Sequence, residues 1–283
     1  MKHPIDPKID CVFKALLGAE ENRNLLVHFL NAILSSDLAA PIATVEILNP
    51  YNEREYLEDK LSIVDVKARD SQDHVYQVEI QLLNYAHLPA RILYTWADIY
   101  SQQLQSGNDY DQLKPTYAIW LLAENLIKGN DDYAHTYKFR DEQGRTLVDH
   151  GGVWLLELDK FKAQRIETEQ QRWLRFFKDG EQLDDVALPD WMSTEEMRQA
   201  MGTLRQFSEK ERDYHAYQAR QNFLREQQTI LHELEAERQA KLDALLEKQA
   251  AMDREQAAVN REQAALAEVE RLKALLEKNH LNH

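Results

Sequence analysis

The chain has 283 residues, enough for one or two domains and a sizeable core, with a formal net charge of −15 and a single cysteine. The acidic balance argues against general nucleic-acid binding, which needs Lys and Arg to neutralise phosphates, so any contact with nucleic acid must use a local basic patch or metal ions. Cys11 alone excludes an internal disulfide framework and fits a reducing compartment. No apolar run approaches the length of a membrane span, and Met1–Pro7 carries no apolar signal region, so a soluble cytoplasmic protein is the expectation.

In chain order, Asp10–Leu17 reads as a helix closed by Gly18, and residues 20–34 as a second, with Leu26, Phe29, Leu30, Ile33 and Leu34 at helical spacing. Ile42–Leu48 is an expected strand, stopped by Asn49-Pro50. Two arms rich in β-branched residues follow, Leu61–Arg69 and Val75–Leu83, around the polar joint Asp70–His74, and predict an antiparallel hairpin. Leu88–Leu104 predicts a helix with Pro89 in its first turn and Gly107-Asn108 beyond its end. Thr116–Ala123, apolar on both faces, predicts a central strand, and further strands are expected at about 133–140 and 152–158. The order of helices and strands predicts an α/β or α+β core.

From about Glu167 the chain becomes polar and helical, anchored by Trp173, Phe176 and Phe177, with a helix start capped by Ser193 or Thr194. Neither Gly nor Pro occurs after Thr203. Leu224, Leu231, Leu245, Met252, Val259 and Leu266 fall on one seven-residue column broken by Arg238, and Arg254–Val259 is repeated as Arg261–Leu266. That pattern predicts a long helix from about 205 that self-associates as a coiled coil, so that the chain forms a homo-oligomer. The companion column, from Gln228 to Gln263, is mostly polar, which favours a weak coiled coil, a helix folded back on the body, or a lone solvated helix. The expected divisions are 1–165, 166–204 and 205–283, and a cut after Gly202 is expected to leave a folded core.

The hairpin carries the candidate chemistry. With a turn centred on Gln72, Asp65 lies opposite Glu79, and Gln81 shares their face. Opposed carboxylates, with Cβ atoms roughly 4.5–5.5 Å apart, repel unless a positive charge lies between them, and a divalent cation is the simplest candidate. A solvated hairpin face also carries Asp, Lys, Glu and Gln, and a one-residue slip would send Asp65 to the other side, so spacing alone leaves both readings open. Lys60 and Lys67 flank Asp65, either as solvated residues or as aids to catalysis. No histidine pair has metal-ligand spacing, no Gly-rich phosphate loop is present, and no serine sits in a nucleophile elbow.

Several segments together resemble the recombination-promoting nuclease, or transposase, family of the PD-(D/E)XK nuclease superfamily. They are Asp10–Lys14, Phe29–Asn31, Asp59-Lys60 leading into Asp65–Lys67, Glu79–Gln81, Arg91 with Tyr94 and Tyr100, Gly107–Pro115 and Glu157–Phe161, over roughly residues 6–165. The resemblance implies a restriction-endonuclease-like core of α-β-β-β-α-β order followed by the long C-terminal helix. It also implies a hydrolase, a Mg²⁺-dependent DNA endonuclease (Mn²⁺ being a substitute), serving DNA recombination or defence against mobile DNA. Carried over by position, Asp65 and Glu79 bind the metal, Asp10 adds an acidic contribution from the first helix, and Lys67 and Gln81 assist catalysis. Gln81 stands where the wider superfamily has a lysine, which leaves open the group that activates water. The competing expectation is a nuclease fold that has lost activity and recruits partners through its C-terminal helix.

Overall fold

A computed structural model describes residues 1–49 and 65–280. The expected first arm of the hairpin up to Val64, with Asp59 and Lys60, lies outside the described residues. Helices α1 (Asp10–Leu17) and α2 (Arg23–Leu34) precede strands β1 (Val45–Leu48), β2 (Val66–Asp70) and β3 (Val75–Gln81); α3 (Leu88–Ser101) then leads to β4 (Thr116–Leu122), β5 (Ala134–Tyr137) and β6 (Gly151–Glu157). Helices α4 (Glu169–Asp179), α5 (Glu195–Glu209) and α6 (Glu211–His280) complete the chain. The α-β-β-β-α-β order expected for the core is therefore present, with β5 added at the far edge of one six-stranded sheet ordered β1-β2-β3-β4-β6-β5.

The hairpin register is set by its turn. Asp70 Oδ1 accepts from the backbone N–H of Gln72 (2.8 Å) and of His74 (3.0 Å), and Asp73 takes the left-handed conformation at φ 66° that the tight reversal needs. Val66 then faces Val78 and Lys67 faces Gln77, so one further step brings Asp65 opposite Glu79. From β3 the sheet becomes parallel, β3 to β4 and β4 to β6, and β4 and β6 are buried along their whole length. Parallel strands covered on both faces are the reason these segments read as continuous apolar runs. At the start of β6 a Cβ on Gly151 (φ 83°) would stand 2.1 Å from the Thr116 carbonyl oxygen, so only glycine lets the two strands meet there.

Two helical layers cover the sheet. Leu88, Ile92 and Trp96 of α3 pack on Ala118, Trp120 and Leu122 of β4 and on Val153 and Leu155 of β6. By register Gln77, Glu79 and Gln81 of β3 lie beside Ala118, Trp120 and Leu122, on this same face. On the opposite face α1 and α2 pack with α4 and α5, joined by the aromatic cluster of Phe13, Phe29, Trp173, Phe176 and Phe177. The expected boundary at 165 is thus crossed by the packing: α4 and α5 belong to the same compact unit, Met1–Asn222.

The expected unbroken helix from 205 is interrupted. Lys210 adopts an extended backbone (ψ 112°) between α5 and α6 without the aid of Gly or Pro. The first turns of α6 belong to the compact unit, where Tyr217 is 2 % exposed and its hydroxyl accepts from the Asp6 N–H at 3.0 Å. A cut after Gly202 would remove Leu204, Ser208 and Tyr217 from the buried set, so the position that spares the body is after Asn222. Residues 223–283 form the second unit, helical as far as His280; along it Leu231, Leu245, Met252, Val259 and Leu266 are all exposed. Among the described residues no helix is long and apolar enough to cross a membrane.

Candidate active site

Asp65 stands just before β2 and Glu79 lies inside β3; one hydrogen bond joins the two and a second ties Asp65 to the next residue of β3. The Asp65 N–H donates to Glu79 Oε1 (3.2 Å), and the Ile80 N–H donates to Asp65 Oδ2 (3.1 Å). Glu79 is 3 % exposed. Burial first, and the negative charge of Asp65 second, push its pKa up to about 8, while the Arg91 guanidinium and the Gln77 amide pull it back. A carboxyl held above its usual range by burial and, after that, by a like-charged neighbour marks a place where a cation would be bound favourably.

Three basic or amide groups surround the pair. Lys14 of α1 reaches Asp65 Oδ1 at 3.3 Å. Arg91 of α3 lies over the Trp120 ring at 5.6 Å, and its Nη1 donates to Gln81 Oε1 (3.3 Å) and to the Tyr85 hydroxyl (3.2 Å). Gln77 Nε2 donates to Glu79 Oε1 at 3.3 Å. Sequence reasoning assigned none of these three a role. Lys14 and Arg91 appear within the resemblance motifs, but their reach to Asp65 and Gln81 depends on helix packing, which spacing along the chain does not report.

Of the expected site residues, the fold brings together Asp65, Glu79 and Gln81 and places Lys67 on the same face, opposite Gln77. Gln81 uses both ends of its amide, accepting from Arg91 and donating from Nε2 to the Leu83 carbonyl (2.6 Å). Asp10 is placed differently: its Oδ1 accepts from Arg220 Nε of α6 at 2.9 Å, one helical turn before Lys14. Among the described residues no group of three or more His, Cys, Asp or Glu is arranged to hold a metal ion. Two carboxylates nevertheless suit Mg²⁺ or Mn²⁺, because Mg²⁺ takes oxygen ligands and commonly uses one or two carboxylates with waters and substrate phosphates.

The Glu157–Phe161 motif has a separate task. Glu157 is fully buried; its Oε1 accepts from the N–H groups of Leu126 and Ile127, and its Oε2 meets Lys160 (2.6 Å) and His135 (3.1 Å). Burial would raise this carboxyl, but Lys160 and the two backbone donors outweigh it and hold the pKa below the usual range. The cluster latches the loop after β4 onto the end of β6.

No curated protein and no solved structure matches the chain. A family model described as PD-(D/E)XK nuclease family transposase matches residues 7–234, taking in α4, α5 and the start of α6 beyond the segment expected from the motifs. With the hairpin carboxylates, the sheet order and this match in agreement, the chain belongs to the PD-(D/E)XK nuclease family transposases.

Proposed function

We propose that the protein is a divalent-cation-dependent DNA endonuclease. The observation that carries this reading is the hydrogen-bonded Asp65–Glu79 pair, with Glu79 buried and Arg91 alongside. In phosphodiester hydrolysis a water oxygen bonds to phosphorus, a P–O ester bond breaks, and the departing sugar oxygen takes a proton. Asp65 and Glu79 would hold Mg²⁺ or Mn²⁺, which when bound lowers the pKa of a coordinated water and neutralises charge on the phosphate. Gln81 has no titratable proton near neutral pH and is not the general base. Its contact with Arg91 makes it a support for that guanidinium, whose planar donors suit a phosphate oxygen. Lys67, on the same face, adds a second positive charge. A net charge of −15 makes these local cations and the bound metal the natural means of holding a phosphate backbone.

Purified protein is expected to nick supercoiled plasmid with Mg²⁺ or Mn²⁺ and to be silent in chelator. An absence of nicking under all cation conditions would favour an inactive nuclease fold that works by recruiting partners. Arg91→Ala is expected to lower the cleavage rate by about a hundredfold, within the range for losing one preorganised donor, and Lys67→Ala by about tenfold. Because Gln81 acts through Arg91, Gln81→Ala should cost less, and the double substitution should cost no more than Arg91→Ala alone. Full additivity of the two in single-turnover rates would detach Gln81 from Arg91.

The exposed heptad column of α6 supports assembly of a homo-oligomer through residues beyond 223. A chain ending at Asn222 is expected to fold and to show a lower assembly state by light scattering. An unchanged number of chains per particle would remove the helix from that role.

A further inference from the structure

We propose that Gln77 is a positioning residue: with the Asp65 N–H it ties down Glu79 Oε1 and leaves Glu79 Oε2 as the oxygen presented to a divalent cation. This rests on the reading of Asp65 and Glu79 as metal ligands. Both donors converge on one oxygen, Gln77 Nε2 at 3.3 Å and Asp65 N at 3.2 Å. One contact comes from Glu79's own strand and the other from the residue that leads into β2, so together they fix the carboxylate against rotation in a way neither does alone.

The burial of Gln77 argues that the donor is what the position requires. Its side chain is fully buried in β3, and among the described residues its Oε1 has no hydrogen-bond partner. Burying an amide with an unsatisfied acceptor is unfavourable, and an apolar residue of the same length would avoid that cost. On the neighbouring strand Trp120, beside Glu79 in register, has a buried indole Nε1 that also lacks a partner among the described residues. Partners that orient metal ligands typically matter by 10- to 100-fold in metal affinity.

Gln77→Met and Gln77→Leu remove the amide while keeping an apolar side chain of similar bulk. In the full chain, calorimetric titration with Mn²⁺ is expected to show affinity weakened about 10- to 100-fold in both. Their thermal midpoints without cation should equal or exceed that of the parent chain, since a purely structural role predicts the opposite. Plasmid cleavage should recover at high Mn²⁺, so the half-saturating concentration moves more than the maximal rate. Affinity within about threefold of the parent in either folded variant overturns the assignment, as does weakened binding accompanied by a lowered midpoint in both. Glu79→Gln separates the two levels of the argument. If the parent chain binds Mn²⁺ no better than Glu79→Gln, the metal-ligand reading itself fails; if only the Gln77 variants match the parent, Gln77 alone is misassigned.

Discussion

Asp65→Asn and Glu79→Gln are each expected to lower cation-dependent cleavage by at least about a thousandfold, the several kcal/mol that a metal-held charge supplies in the transition state. The body should stay folded in both, for different reasons. Asp65 Oδ2 accepts from the Ile80 N–H, and its Oδ1 meets Lys14, so truncation to Ala would strand a backbone donor at a cost of about 1–3 kcal/mol. Asn keeps an acceptor in place. Glu79 is the opposite case: Gln retains the shape while removing the charge that burial and Asp65 oppose. Plasmid nicking beside thermal melts distinguishes loss of a ligand from loss of the fold. Cleavage that still depends on cation after either change would refute the pair as the metal site.

The hairpin was legible because its information is local. Asp70 to His74 carries the turn chemistry, and the period-two alternation on either side then determines which residues share a face. Central strands β4 and β6 were legible for a similar reason, as apolar runs bounded by turn residues. What alternation could not report is whether a polar face is wet. Gln77, Glu79 and Gln81 form an ordinary hydrophilic stripe in sequence, yet Gln77 and Glu79 are buried, because α3 packs on the face they share with Ala118, Trp120 and Leu122 of β4. Partners distant along the chain were equally hidden: Asp10 finds Arg220, and Lys14 finds Asp65, through packing of helices. The break at Lys210 carries neither Gly nor Pro and has no local signal, whereas Thr194, one of two expected caps, accepts from the Met197 N–H as such residues do.

Stability without cation is expected to fall as pH rises from about 4.5 to about 8, and Glu79→Gln should abolish that fall. In the unfolded chain Glu79 titrates near its ordinary value of 4.5, while in the folded chain it titrates at about 8. Between these values the folded state keeps a proton that the unfolded state has released, so the unfolded state binds fewer protons and stability declines with pH. The contribution is complete below about 4.5 and is lost as pH climbs through 8; the gap amounts to a few kcal/mol. Glu79→Gln has no proton to lose. It should therefore match the parent chain near pH 4.5 and melt clearly above it at pH 8.5 in chelator. Divalent cation should reverse the order at high pH, because it stabilises the parent chain in proportion to its binding and leaves the variant unaided. Since the ligand must be ionised, cation binding at pH 7 should also release a proton, and apparent affinity should rise with pH up to about 8. Melting curves at several pH values with and without Mg²⁺, and calorimetry in buffers of different ionisation enthalpy, measure both effects. Parallel stability profiles for the two proteins would mean that neither burial nor Asp65 holds the Glu79 carboxyl above its ordinary range in the folded chain, and would remove the reason for a cation to be favoured beside it.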